Sequence, residues 1–384
     1  MNTLAHRQNP KAPSMNLYNR YNLTPVINAR GTFTPLGVSR SSTITAEAAA
    51  AALQSFFIIT ELQQRASEAI SAWCGAPAGA VTHCVASAIT LSISAVRTGL
   101  DPERIATAPN LPQVPNKVVL PAGHAVNYGH EIIQDIHLAG AEAVLAGNEN
   151  GCESRDLESA LDDPQVICLL LVSSRLTRGH GPDFNQAVKL AHARGLPVII
   201  DGAAQDMRVE DLLACGADCV LVSAHKYLAS PTAGLIIGKR DMVTATLAQE
   251  KGIGRAMKAS KEAIIGVLAA IDERLELDIG LWRCEQDHKL KTLADRVGVI
   301  AGLTAQTLVD PVGMPFARLA IDVDANGYGR DADELASALR DGTPPIYLME
   351  DRLEEGRLVL ELVPLTIGEI DCIGDRLEEL ADGY

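Results

Sequence analysis

The chain has 384 residues, 47% of them hydrophobic and only 4% aromatic, so a sizeable core is available and must rest on Ala, Val, Leu and Ile. Its formal net charge of −15 excludes a general nucleic-acid-binding surface, though not a local anion site. The length accommodates two domains, or one large domain with an appendage.

Residues 1 to 22 are polar and Asn-rich, and predict an arm that is disordered or gains order on a partner. The first residues lack the apolar centre of a signal peptide, and no apolar run reaches the roughly 18 residues of a membrane span, so a cytoplasmic protein is expected. "TPVINARGTFTPLG" follows as an extended segment closed by a Gly turn, completing an N-terminal portion over residues 1–40. From Thr45 the pattern is helical: an alanine-rich run, then "ELQQRASEAISAWCG", which stops at Gly75.

The middle of the chain alternates apolar runs of strand length with helical segments. "NKVVLPAG", "AEAVLAG", "VICLLLVSS", "LPVIIDGAAQ", "DCVLVSAHK" and "AGLIIGKR" are the strands, with helices in "YGHEIIQDIHLAG" and "DFNQAVKLAHARG". Near-continuous apolar strands separated by helices predict a largely parallel sheet covered on both faces. The Pro-rich "APNLPQVPNK" is a surface connection. Eight cysteines form no C-x-x-C pair, and Cys215 and Cys219 have no second Cys/His pair to complete a metal site. Reduced core thiols and no metal are therefore expected.

After residue 250 the texture changes. A helical stretch from Lys261 to about Val299 leads to strand-like "FARLAIDVD" and "RLVLELVP", then a terminal helix ending near Leu380. The expected architecture is α/β, with a large domain over 41–255, a smaller C-terminal α/β domain over 256–384, and a site in the cleft. Ligands of open α/β sheets bind outside the carboxyl ends of the strands, where Asp201 and Lys226 both emerge.

Those two residues carry the chemistry. Asp201 follows "LPVII" and Lys226 lies just beyond "CVLVS". Burying either charge costs several kcal/mol unless it is paired or changes protonation. A lysine of depressed pKa is the type that forms Schiff bases, and an acid opposite a pyridinium nitrogen is what pyridoxal phosphate requires. A structural Asp–Lys salt bridge is the alternative these two residues alone leave open. Ser223 and His225 bracket the lysine and suit a phosphate. The helix in "AVTHCVASAITLSISAVRTG" would offer its first N–H groups, around Cys84 and Val85, as an anion cradle. His124, after another strand, could lie against a planar cofactor or be an ordinary loop histidine. Ser87 and Ser92 could equally be plain helix-face hydroxyls.

"DGAAQ" (Asp201 to Gln205) followed by "SAHKYLASPTAGLIIGKRDM" resembles the fold-type I pyridoxal-phosphate enzymes, of the PLP-dependent transferase fold. With "VINARGTFTPLG", "ELQQRASEAI", "GHAVNYGHEI", "GIGRAMKASKEAIIGVLAAIDE" and "TPPIYL", the chain is similar to the branch holding bacterial selenocysteine synthase and D-glucosaminate-6-phosphate ammonia-lyase, over roughly residues 25 to 370. The resemblance implies pyridoxal 5'-phosphate held covalently by Lys226, which then moves protons at the substrate α-carbon. It implies that Asp201 pairs with the pyridine nitrogen and that His124 stacks on the ring. Ser223, His225 and the amides near Cys84 would hold the phosphate, and Gln205 the phenolic oxygen. Thr232 would reach a neighbouring subunit's cofactor, so a homodimer or larger homo-oligomer with a shared site is expected.

Two departures bear on the substrate. Cys84 stands where the family's phosphate cradle usually has glycine, next to an unusual His83, and Arg30 stands where a small residue is usual. Arg255 and Lys258 in "GIGRAMKAS" are the best candidates for a substrate carboxylate or phosphate, with Arg30 a further one and Arg318 and Arg357 weaker. Gly252 and Gly254 would let that segment move. The expected reaction is α,β-elimination from a hydroxy amino acid or amino sugar acid, giving ammonia and a 2-oxo acid. Racemisation, epimerisation and retro-aldol cleavage are alternatives on the same scaffold. Selenium transfer to seryl-tRNA is disfavoured by the charge, and a non-catalytic cofactor-binding homologue by the intact Asp201 and Lys226.

Overall fold

The computed structural model describes residues 16–382. Of the polar arm expected over residues 1 to 22, residues 1–15 lie outside the described residues. The remainder makes one exposed helical turn, α1 (Leu17–Tyr21), capped by the Asn16 side chain, which accepts the Asn19 amide. The chain divides into two compact units. The larger comprises Thr32–Arg283 and Val309–Phe316. The smaller comprises the chain up to Gly31, Cys284–Leu308, and the chain from Ala317 onward.

The short strand β1 (Ile27–Asn28) belongs to the smaller unit. In the larger unit seven strands form one sheet: β2 (Ala78–Thr82), β3 (Lys117–Pro121), β4 (Glu142–Ala146), β5 (Val166–Val172), β6 (Val198–Asp201), β7 (Cys219–Ser223) and β8 (Gly234–Gly238). They run in the order β2-β8-β7-β6-β5-β3-β4. The pairings from β7 through β4 are parallel, as the apolar runs predict, and only β8 runs antiparallel to its neighbours β7 and β2. Strand β2 escaped sequence reading because "AGAVT" is built of small residues. The packing explains them: a Cβ on Gly79 would come within 2.5 Å of the Ile70 side chain, so the helix before β2 lies directly on the strand.

Period-2 alternation splits the strands between two cores. Val81, Leu169, Leu171, Val220 and Val222 face one side, covered by α3 (Ile59–Cys74), α7 (Ser154–Leu161), α8 (Phe184–His192), α9 (Val209–Ala214) and α11 (Lys261–Glu276). Ala80, Cys168, Leu170, Cys219 and Leu221 face the other, covered by α4 (Val85–Thr98), α6 (Ile132–Leu138) and α10 (Arg240–Ala248). Each fully buried Leu or Ile contributes about 1.5–3 kcal/mol. The short α5 (Pro102–Thr107) starts at an Asp101 cap, whose carboxylate accepts the Glu103 and Arg104 amides. Helix α3 ends at Gly75 in the left-handed conformation (φ 70), as the sequence predicts.

Residues 256–283 pack within the larger unit, although the sequence counts them with the small domain. Ile264, Val267, Ala270 and Ile271 of α11 join the core with α3. Glu273 accepts hydrogen bonds from Ser42 and Thr45 at the start of α2 (Thr43–Leu53), where a carboxylate also favours the helix dipole. The helical stretch expected from Lys261 to Val299 is two helices. It breaks before α12 (Ile279–Val297), whose first amides, on Gly280 and Leu281, are accepted by Asp278.

The smaller unit holds the sheet β12-β10-β9, made of β9 (Leu303–Val309), β10 (Ala317–Val323) and β12 (Arg357–Leu360), while β11 (Ile346–Tyr347) pairs parallel with β1. Helices α13 (Ala325–Tyr328), α14 (Ala332–Arg340) and α15 (Ile367–Asp382) complete it. Arg318 and Glu361 make a buried ion pair here, with Nη2 at 2.7 Å and Nε at 2.9 Å from Glu361 Oε2. Arg318→Met alone should cost about 3–5 kcal/mol by removing the cation paired with the buried Glu361 carboxylate, whereas Arg318→Met with Glu361→Leu should recover most of it. Urea unfolding measures both, and equal losses in the two variants would contradict this account.

Candidate active site

Because β8 returns antiparallel to β7, residues 224–233 turn back at the carboxyl edge of the sheet rather than crossing it. Lys226 therefore stays at that edge. Across the strands, Thr82 pairs with Gly234 and Gly234 with Ser223. Likewise Val172 pairs with Asp201 and Asp201 with Leu221. Five neighbouring strands thus share one edge: β2, β5, β6 and β7 end there and hand their next residues to the same side, while β8 begins there.

Asp201 ends β6 and is buried, its Oδ1 accepting the Ala203 amide at 2.9 Å. Burial pushes its carboxyl up to about 6, although Lys226 pulls it down. The Lys226 loop is tied to β7 by the Lys226 amide on the Ser223 carbonyl at 3.2 Å. Ser223 is buried, and its Oγ lies 3.2 Å from His225 Nδ1, which is also 3.2 Å from the Ala233 carbonyl. Burial lowers the His225 pKa, and the positive charge of Lys226 lowers it further.

His124 closes the turn after β3, and its Nδ1 accepts the Val172 amide at 3.0 Å. Burial lowers its pKa to about 4, so the ring is neutral, with its other nitrogen facing Gly181, where a Cβ would come within 3.1 Å. Gln205 is buried just after Asp201, its Oε1 accepting from Arg208 at 3.3 Å.

Cys84 is the N-cap of α4 and Val85 its first residue. Glycine is not needed at position 84, because φ −159 is extended backbone that any side chain adopts, and the thiol lies 3.3 Å from Ser87 Oγ. The glycine requirement sits across the sheet instead. A Cβ at Gly234 would come within 2.4 Å of the Cys84 carbonyl carbon, so Gly234 lets the helix start lie against β8. The first amides of α4 have no partner within the helix and are directed at this edge.

The other candidates fall in different places. Thr232 is exposed on the loop before β8. Arg255 and Lys258 are exposed beside β2: Lys258 bridges Thr82, and the Met257 carbonyl accepts from the Thr82 hydroxyl at 2.7 Å and the His83 amide at 3.0 Å. Gly252 and Gly254 serve close packing there rather than motion, since Cβ atoms would come within 2.2 Å of the Ile105 carbonyl and 2.7 Å of Gln249. Arg30 and Arg318 belong to the smaller unit. Arg30 pairs with Glu350 at 3.5 Å, and Arg318 is consumed by Glu361. Arg357 also lies there, held by Asp322 at 2.5 Å.

One cluster went unread in the sequence. The Tyr128 hydroxyl donates to Asp135 and lies 2.9 Å from His130 Nε2, which is 3.2 Å from Asp135. Burial raises the Asp135 carboxyl, and its charge helps to raise Asp201. The signal was present in "EIIQDIHLAG", where Asp135 sits on the same helix face as the buried Ile132 and Ile136.

Together these residues offer an amine, a buried acid, a neutral imidazole and a helix N-terminus at one edge. That donor set fits pyridoxal phosphate: acid for the ring nitrogen, amine for the aldehyde, amides for the phosphate. The comparisons agree. The family pattern of L-seryl-tRNA selenium transferase matches residues 131–295. D-glucosaminate-6-phosphate ammonia lyase of Salmonella typhimurium is 32% identical over 96% of this chain and 98% of its own. The 5'-C-glycyluridine monooxygenase-decarboxylase of a Streptomyces species is 32% identical over 94% of this chain and 91% of its own. A solved structure of D-glucosaminate-6-phosphate ammonia-lyase matches with TM-score 0.86 and 31% identity, over 96% of this chain and 99% of that one. The chain belongs to the selenocysteine synthase / D-glucosaminate-6-phosphate ammonia-lyase branch of the fold-type I pyridoxal-phosphate enzymes.

The raised Asp201 pKa has a stability consequence in the cofactor-free protein. A carboxyl whose folded pKa of about 6 exceeds the ordinary value of 3.8 favours the folded state at low pH and loses that advantage as pH rises through 6. Asp201→Asn should therefore stabilise the apo-protein at pH 8 by about 2–3 kcal/mol. Urea midpoints should show a smaller gain at pH 5, and an equal gain at both would contradict the burial argument.

Proposed function

We propose that this protein is a pyridoxal-phosphate-dependent ammonia-lyase acting on an amino sugar acid. The observation that carries the reading is the buried Asp201 beside the Lys226 loop, in a chain aligned along nearly its whole length with an ammonia lyase. Lys226 would hold the cofactor and Asp201 would face its ring nitrogen. His124, neutral and buried, would lie against the ring, and Gln205 would meet the phenolic oxygen. Ser223, His225 and the amides following Cys84 and Val85 take the phosphate. Thr232, exposed on its loop, reaches the cofactor of a neighbouring subunit. Arg255 and Lys258 are the substrate-anion contacts, and Arg30, in the smaller unit, is paired with Glu350.

When bound, pyridoxal phosphate supplies an electron sink for the charge left at the substrate α-carbon. The Lys226 amine takes the α-proton. The same nitrogen, now protonated, returns a proton to the departing β-hydroxyl, which leaves as water. Water then replaces the nitrogen. A 2-amino-3-hydroxy acid thus becomes a 3-deoxy-2-oxo acid and ammonia, with one water lost and one regained. Asp201 keeps the ring nitrogen protonated throughout.

The assembly proposed is a homodimer or larger homo-oligomer in the cytoplasm. Leu53, Phe56, Ile58 and Ile59, between α2 and α3, leave their side chains exposed, and a second copy of the chain is the cover such a patch favours. Among the described residues no helix is long and apolar enough to cross a membrane. A net charge of −15 disfavours tRNA.

A second reading rests on the Streptomyces relative, equally identical and named for oxygenation with decarboxylation. Proton NMR in D₂O separates the two. The cofactor-loaded protein is incubated with hydroxy amino acids and with amino sugar acids carrying or lacking a terminal phosphate. Conversion of an amino sugar acid to a 2-oxo acid, abolished by Lys226→Ala, is expected. Exchange or inversion of the α-proton alone means a racemase or epimerase, and release of glycine means retro-aldol cleavage. Oxygen-dependent loss of CO₂ means the second reading, and no exchange with any amine means a binding protein; each of these outcomes overturns the lyase.

A further inference from the structure

Lys226 sits in a loop with no regular secondary structure, yet a group that moves a proton must be held within a fraction of an ångström. Something outside the loop has to hold it. Arg274, near the end of α11 and largely buried, reaches this loop. Its Nη2 donates to the Tyr227 carbonyl at 3.0 Å, directly after Lys226, and the same nitrogen lies 2.8 Å from Asp206 Oδ2. Asp206 is buried and opens the short turn Asp206–Arg208 that follows Asp201 and Gln205. One guanidinium therefore touches both strand-end turns, the one carrying the acid and the one carrying the amine.

We propose that Arg274 is a positioning residue for Lys226, fixing the lysine loop against the turn after Asp201 and keeping the Asp206 carboxylate from taking the lysine's charge. The inference rests on the reading that Lys226 carries the cofactor. Burial raises the Asp206 carboxyl, and Arg274, at 2.8 Å, is the largest of the influences that lower it again. Two cations face Asp206, Arg274 from α11 and Lys226 from its loop. Lys226 in turn feels Asp201 at the end of β6, Asp206, and His225 beside it. With Arg274 gone, Lys226 is the cation that remains to offset the buried Asp206 carboxyl. The amine is then held protonated, and a protonated amine cannot attack an aldehyde.

The test is the rate at which apo-protein takes up pyridoxal phosphate, followed by absorbance between pH 6 and 10. Arg274→Met should move the pH midpoint of uptake upward by about one unit and slow uptake roughly tenfold at neutral pH. Asp206→Asn should move the midpoint downward, and Asp206→Asn combined with Arg274→Met should restore it to near wild type. A purely structural arginine predicts a different pattern: Arg274→Met and the double variant both melt early, and the midpoint stays where it was. That pattern overturns the proposal, as does an unmoved midpoint in Asp206→Asn, which serves if Arg274→Met fails to fold. Wild-type protein that takes up no pyridoxal phosphate overturns the underlying reading instead.

Discussion

Opposite charges at the ends of two neighbouring strands set the terms for the rest of this protein. Asp201 and the Lys226 loop emerge from β6 and β7 at the same edge, where Asp201 and Ser223 are buried. Burial raises the Asp201 carboxyl, and the charge of Lys226 holds that rise in check. Such an arrangement is costly for stability and suited to chemistry, because each group stands ready to exchange its partner for a ligand of matching charge.

The sheet topology makes that arrangement available to residues far apart in sequence. Parallel strands all end at one edge, so His124, Asp201 and Ser223 arrive there together. The antiparallel β8 starts at the same edge, which brings Gly234 against the start of α4. A helix N-terminus lacking internal partners for its first amides then faces the same side as the lysine. Arg274 closes the arrangement from α11, a helix that packs with α3 in the larger unit.

Much of this was legible because strands end abruptly in polar residues. "LPVIID" and "CVLVSAHK" mark their own terminations, and the start of α4 was readable from the switch between small and helical residues. Strand β2 was not, since small side chains chosen for close packing against Ile70 carry no strand signal. The concern over Cys84 came from a motif habit and dissolves in an extended φ, while the real glycine constraint lies at Gly234, distant in sequence. Ion pairs such as Asp206 with Arg274, or Arg318 with Glu361, join segments whose proximity exists only after folding. Asp135 is an intermediate case: its place on a buried helix face was visible, but its partners Tyr128 and His130 were not.

The central claim is that Lys226, and no other lysine, carries pyridoxal phosphate. Borohydride reduction of the cofactor-loaded protein, followed by proteolysis and peptide mass mapping, tests it most directly. The account predicts a single reduced pyridoxyl adduct on the peptide containing Lys226. An adduct on a different lysine, or none on a protein that retains the cofactor, would contradict it.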